Sequence, residues 1–183
     1  MAANRAATKW SKRELAGRLL WALVYPLFAL SPRPLWAWRR LLVRVFGGTI
    51  GRQVQIYPSV RIAVPWNLDI GDQCAIGDRV ILYSLGRITI KERVTISQGA
   101  HLCAGTHDYV DPTMPLVKSP IFVDHDAWIC ADAFLGPGVH VGSFAIVGAR
   151  SVAIKDVIPG TIVVGNPARV VRSRVAQPAD LGK

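Results

Sequence analysis

Among side chains that can move a proton or hold a metal near neutral pH, this 183-residue chain carries four histidines and three cysteines. Cys74, Cys103 and Cys130 form no C-x-x-C pair, no zinc spacing and no disulfide framework, so a reducing, cytoplasmic setting is expected. His107, in the run Ala104-Gly105-Thr106-His107-Asp108, is the sharper candidate. It stands at the root of a segment with three prolines, DYVDPTMPLVKSPIF, which runs from Asp108 to Phe122. A histidine at the base of a long loop can be shielded from bulk water and still reach a ligand. Its ordinary pKa of about 6.5 suits general-base work. His107 and His140 hold equivalent places in the repeat described next, but neither His101 nor His125 falls at a matching spacing, so no metal is expected.

The element that must position His107 is a repeat of six. The positions are Ile50, Ile56, Ile62; Ile70, Ile76, Leu82; Ile90, Ile96, Leu102; Val123, Ile129, Leu135; and Val141, Val147, Ala153. Fourteen of these fifteen are Ile, Leu or Val. Four residues after each anchor stands a small residue, Val or Thr, with Trp66 the exception. A short strand plus a tight turn takes six residues, and three such units close a triangular coil. The aliphatic anchor points inward, the small residue lets the corner turn, and coils stack about 4.8 Å apart into parallel sheets. This predicts an all-β solenoid, a left-handed parallel β-helix of about five coils over residues 50–158. Such a coil departs from the usual right-handed crossover. Residues 108–122 are an insertion after the third coil, and a long loop in a regular solenoid points to function.

The formal net charge of +10 divides unevenly. Residues 1–44 carry +8, residues 45–168 carry −1 and residues 169–183 carry +3. Residues 1–49 read as amphipathic basic helices, with Leu15, Leu19, Leu23 and then Leu35, Trp38, Leu42, Val45 at helical spacing and Pro32 and Pro34 between. They suit a cap over the open first coil, and equally a peripheral contact with the inner face of the membrane. The longest apolar run, Leu19 to Leu30, is too short to span a bilayer. No recognition motif accompanies the charge, so nucleic acid is not an expected partner. Residues 159–183 read as an exit segment and basic tail.

Residues 50–172 resemble the hexapeptide-repeat acyltransferases, sugar O-acetyltransferases in particular, and among these the colanic-acid-type acetyltransferases of bacterial polysaccharide loci. The strings that carry the likeness are TISQGAHLCAGTHDYVDPTMPL, PIFVDHDAWICADAFLGPGVHVG, VGARSV with Lys155-Asp156, and GNPARVV; the N-terminal LLWALVYPLFALSPRPLWAWRR adds to it. The resemblance implies an acetyl-CoA co-substrate and a homotrimer with active sites between subunits. It implies His107 as the general base of a direct transfer to a sugar hydroxyl. Trp128, Ala131, Ala149, Ile154 and Lys155 would line the pantetheine groove, and Arg169 and Arg172 would face the phosphates, which guanidinium groups bind bidentately. Such enzymes often hold the acceptor with an asparagine. Here that stretch reads Leu82-Tyr83-Ser84-Leu85-Gly86, which leaves Ser84, with Asp108 and Asp111 of the loop, as acceptor-side candidates. Two other readings stand beside this one: a non-catalytic membrane-associated scaffold, and a zinc enzyme like the gamma-class carbonic anhydrases.

Overall fold

A computed structural model describes residues 10–174. The basic residues Arg5, Lys9 and Lys183 lie outside them. The chain coils as a left-handed parallel β-helix with three sheets. The first sheet stacks Thr49–Ile50, Leu68–Ile70, Ile88–Ile90, Ile121–Val123 and His140–Val141. The second stacks Gln55–Ile56, Ala75–Ile76, Thr95–Ile96, Trp128–Ile129, Ile146–Val147 and Thr161–Gly165, the last of which folds back antiparallel as Ala168–Ser173. The third stacks Arg61–Ile62, Ile81–Tyr83, His101–Cys103, Phe134–Leu135 and Val152–Ala153.

All fifteen anchors of the repeat are buried, none more than 5% exposed, so the prism interior is the core. The corners turn by a device that the sequence does not advertise. Ten of the fifteen residues placed three after an anchor take a left-handed backbone, with φ between 56° and 81°. Only two of the ten are glycines, Gly99 and Gly138; the others include Gln73, Arg93, Asp126 and Phe144. Left-handed backbone costs an L-residue roughly 1–2 kcal/mol, and the closed interior offsets that cost at each corner. The coil count exceeds the five expected. Val157 bridges to Val141 in the first sheet, and Ile162 and Val163 pair with Ile146 and Val147 in the second, giving a partial sixth turn. Val157 and Val163 are themselves six apart, but they start four residues after Ala153. That two-residue slip hid the extra turn behind Pro159-Gly160.

The N-terminal helices α1 (Lys12–Ala29) and α2 (Trp36–Val45) lie against the first coil. Helix α1 opens with a capping box of Ser11 and Glu14. Within the solenoid, N–H groups of each coil donate to carbonyls of the next. Gly51, Gln55, Tyr57, Arg61 and Ala63 donate to Ile70, Cys74, Ile76, Val80 and Leu82. The equivalent carbonyls of the first coil have no coil beneath them. Each receives a helix side chain instead. Arg44 Nε donates to Ile50 (2.9 Å), Arg40 Nη1 to Val54 (2.9 Å), Arg39 Nε to Ile56, Tyr25 Oη to Val60 (3.1 Å) and Trp21 Nε1 to Ile62 (2.9 Å). Arg39 is fully buried, and its remaining N–H groups reach Ser31 Oγ and the carbonyls of Pro32 and Arg33. Gly17 gives the space in which the Trp66 ring packs on α1, since a Cβ there would lie 3.0 Å from the indole. This explains the one bulky residue in the small-residue series.

Replacing a fully buried cation by an apolar residue leaves several carbonyls without a donor, each worth about 1–3 kcal/mol. Arg39→Met is expected to lower unfolding free energy by about 3–5 kcal/mol in urea titration. Arg52→Ala, which removes an exposed pair with Asp72, should change it by less than about 0.5 kcal/mol. Equal effects would show that the edge contacts do not hold the first coil.

Candidate active site

His107 lies where the chain leaves the third sheet of the third coil. Thr106–His107 and Leu116–Val117 pair antiparallel as the stem of the inserted loop, with His107 opposite Leu116. The loop must return through the same corner. Gly86 makes room for it, because a Cβ there would lie 2.7 Å from the Ala104 carbonyl oxygen and 2.8 Å from that of Ser119.

The half-buried imidazole is held by a main-chain group: His107 Nδ1 lies 2.8 Å from the Met114 carbonyl oxygen. A carbonyl only accepts, so Nδ1 carries the proton and the lone pair of the neutral ring resides on Nε2. The loop tip aims that carbonyl. Asp108 Oδ1 accepts from the N–H groups of Val110 (3.0 Å) and Asp111 (3.4 Å). Asp111 Oδ1 accepts from Thr113 N–H (2.7 Å) and Thr113 Oγ1 (2.8 Å), and the Asp111 carbonyl accepts from Met114 N–H. The Thr113 N–H, foremost, holds the Asp111 carboxyl below the usual carboxylate range. Asp108 and Asp111 thus act as turn formers that position His107.

Ser84 is fully buried in the coil wall. Its hydroxyl accepts from Val64 N–H (3.0 Å) and donates to Val64 C=O (2.8 Å), so the structure does not bring it to the site. A buried serine that staples two coils is indistinguishable in sequence from one facing a ligand. The exposed polar group on that strand belongs to Tyr83 instead.

Of the residues assigned to the coenzyme, four fall on two corners of the prism and three on the second sheet with its terminal hairpin. Trp128 is exposed on the second sheet, with its Nε1 donating to Ser97 Oγ (2.9 Å). Ala131 and Ala149 follow one another up the corner between the second and third sheets, where Arg150 N–H donates to Ala131 C=O. Ile154 and Lys155 occupy the corner between the third and first sheets, the same corner from which His107 departs two coils below. Lys155 and Arg169 come together, lining one pocket of about 280 Å³ at the end of the solenoid. Arg172 pairs with Ile162 across the terminal hairpin and is exposed.

The remaining histidines are engaged elsewhere. His140 Nε2 lies 2.8 Å from Asp124 Oδ2, and His125 Nδ1 lies 2.9 Å from Asp126 Oδ2. His101 is wedged between Tyr83 and Phe134, and burial pushes its pKa below the ordinary histidine value. Among the described residues, no three His, Cys, Asp or Glu side chains gather as a metal site. Nor do the thiols favour nucleophilic chemistry. Burial pushes Cys74 up to about 11 and raises Cys130, while Cys103 Sγ donates to Gly105 C=O.

A left-handed β-helix with one imidazole presented at a corner loop is the architecture of the hexapeptide-repeat acetyltransferases, and the chain belongs to that family. It is 43% identical over 158 residues to the Escherichia coli (strain K12) protein named "Putative colanic acid biosynthesis acetyltransferase WcaF", covering 86% of this chain and 87% of that one. The galactoside O-acetyltransferase of the same organism is 25% identical over 137 residues, which are 73% of this chain and 68% of that one. Among solved structures, a hexapeptide-repeat acetyltransferase of Vibrio cholerae complexed with acetyl coenzyme A superposes with a TM-score of 0.83. It is 26% identical, and 91% of each chain is covered. No family model matches the chain.

The hydrogen bond to Met114 fixes one tautomer. Ring ¹⁵N shifts of the neutral His107 imidazole are expected to report Nδ1–H with an unprotonated Nε2, and Asp111→Ala is expected to mix the tautomers by loosening the loop tip. Shifts of the opposite tautomer in the wild type would contradict the assigned geometry.

Proposed function

We propose that the protein transfers an acetyl group from acetyl-CoA to a sugar hydroxyl of a surface-polysaccharide precursor, with His107 as general base. The observation that carries this reading is the pinned imidazole: Met114 C=O holds Nδ1, leaving Nε2 to accept the hydroxyl proton. The deprotonating oxygen attacks the thioester carbonyl as the thiol leaves with a proton, so acetyl passes directly between the two substrates. The condition of the three thiols accords with a route that has no acetyl-enzyme. The colanic acid relative supports the polysaccharide setting, and the Vibrio cholerae complex supports the donor.

Lys155 and Arg169 are the residues best placed to meet the coenzyme phosphates, with Trp128, Ala131, Ala149 and Ile154 along its pantetheine arm and Arg172 further out. Ala131 and Ala149 lie on one corner of the prism and Ile154 and Lys155 on another, with the third sheet between them. A homotrimer would resolve this, since the corner of one copy can face the other corner of the next. The setting is the cytoplasmic face of the inner membrane, touched peripherally through α1. Leu15, Leu19, Leu23, Leu27 and Leu30 are each 51–84% exposed there. No described helix is long and apolar enough to cross a membrane.

Two measurements test this. With a panel of sugars and acetyl-CoA, His107→Asn should lower kcat by about 10²–10⁴-fold at little change in KM for acetyl-CoA, whereas Arg169→Ala should raise that KM with kcat nearly retained. Wild-type turnover by His107→Asn would remove the general-base role. In vesicle flotation, the wild type should rise with phosphatidylglycerol-containing liposomes and the Leu19→Glu/Leu23→Glu variant should stay at the bottom; identical partitioning would rule out contact through α1.

A further inference from the structure

A cleft of about 450 Å³ opens between α1 and the third sheet, beside the first two coils. Its walls are Trp21, Ala22 and Tyr25 of α1, with Ile62, Ile81 and Tyr83 of the sheet, and Arg61 is its one charged residue. This volume lies within the range of ligand pockets, about 300–1,000 Å³.

Two of the three aromatic walls have their polar handles engaged, and Tyr83 is exposed. Trp21 Nε1 donates to Ile62 C=O and Tyr25 Oη to Val60 C=O. The walls therefore offer ring faces and branched side chains, and few partners for the hydroxyls of a sugar. Arg61 is the contrast. It is exposed, it lies near enough to Tyr25 to act on it electrostatically, and among the described residues its guanidinium makes no hydrogen bond or ion pair. The three arginines of α2 next to the first coil are each committed to a carbonyl, whereas the Arg61 guanidinium on the cleft wall is not. An apolar trough with one free fork-shaped cation fits an amphiphile with a single anionic head. The trough is also continuous with the outward leucines of α1. Helical spacing puts Leu15 and Leu19 on the same flank as Ala22, and they are 51% and 64% exposed.

We infer that this cleft binds an isoprenoid phosphate, with the branched chain against Trp21, Tyr25 and Tyr83 and the phosphate on Arg61. Methyl branches and planar double bonds match ring walls and β-branched side chains better than a straight acyl chain does. Binding in the cleft is independent of catalysis. That such a lipid carries the acceptor sugar rests on the acetyl-transfer reading above. Tyr83, on the cleft wall, pairs in register with Cys103, four residues before His107.

The test is titration calorimetry of the full-length protein with farnesyl phosphate below its micellar concentration, with farnesol, dodecyl phosphate and inorganic phosphate as separate arms. Saturable binding of farnesyl phosphate is expected. Arg61→Gln should weaken it about tenfold while leaving farnesol unchanged, and Ala22→Phe, which fills the cleft from an exposed helix position, should abolish it. His107→Asn should bind as the wild type does, so a failed acetyl transfer and a failed lipid site give different results. Absence of binding would overturn the inference, as would unaltered binding to Ala22→Phe. Equal affinity for dodecyl phosphate would reassign the cleft to straight-chain lipids, and equal affinity for inorganic phosphate would reduce it to a simple anion site; either result overturns the isoprenoid assignment.

Discussion

A stack of parallel coils has a first coil whose carbonyls point at nothing, and the rest of this molecule depends on how those carbonyls are satisfied. Five of them, on Ile50, Val54, Ile56, Val60 and Ile62, receive donors from Arg44, Arg40, Arg39, Tyr25 and Trp21. An open edge of this kind would otherwise pair with another chain. The helices therefore end the solenoid by supplying side-chain donors where a further strand would supply backbone ones. Their charge follows from this role. Guanidinium groups can stay charged while buried, provided that several carbonyls surround them, and Arg39 does so with four oxygen partners.

The same constraint reorganises the meaning of the basic N-terminal region. Its arginines suggest an anionic partner when counted, yet three of them face carbonyls. Beyond the exposed Lys12 and Arg13 of its first turn, the outward surface of α1 is rich in leucine, so contact with a membrane along the helix is made by apolar side chains. The coil body then serves as a rigid post. On it, the inserted loop turns back through the Gly86 corner and carries a carbonyl to His107.

How much of this was legible depended on whether the information was carried by side chains. The aliphatic anchors marked the sheets and the core residue by residue, because a closed prism admits little else at those positions. His107 stood out because its type and its place at the loop root agreed, and the structure places it in the stem of that loop. Its orienting partner was not, since Met114 contributes a backbone carbonyl and no side chain encodes it. Ser84 misled for the converse reason: a hydroxyl stapled to Val64 looks the same in sequence as one that faces a sugar. The left-handed corners were hidden because glutamine, arginine, aspartate and phenylalanine fill most of them. Likewise, Arg39, Arg40 and Arg44 read only as basic residues of an amphipathic helix, because nothing in the sequence shows which carbonyls a first coil leaves bare.

The central claim is that the Nε2 lone pair of His107 accepts the proton of the acceptor hydroxyl. The pH dependence of kcat/KM for the acceptor, at saturating acetyl-CoA, tests it most directly. The account predicts a rate that climbs tenfold per pH unit on the acid limb and levels off once the imidazole is neutral. A rate that does not change with pH across the range in which histidine titrates would contradict it.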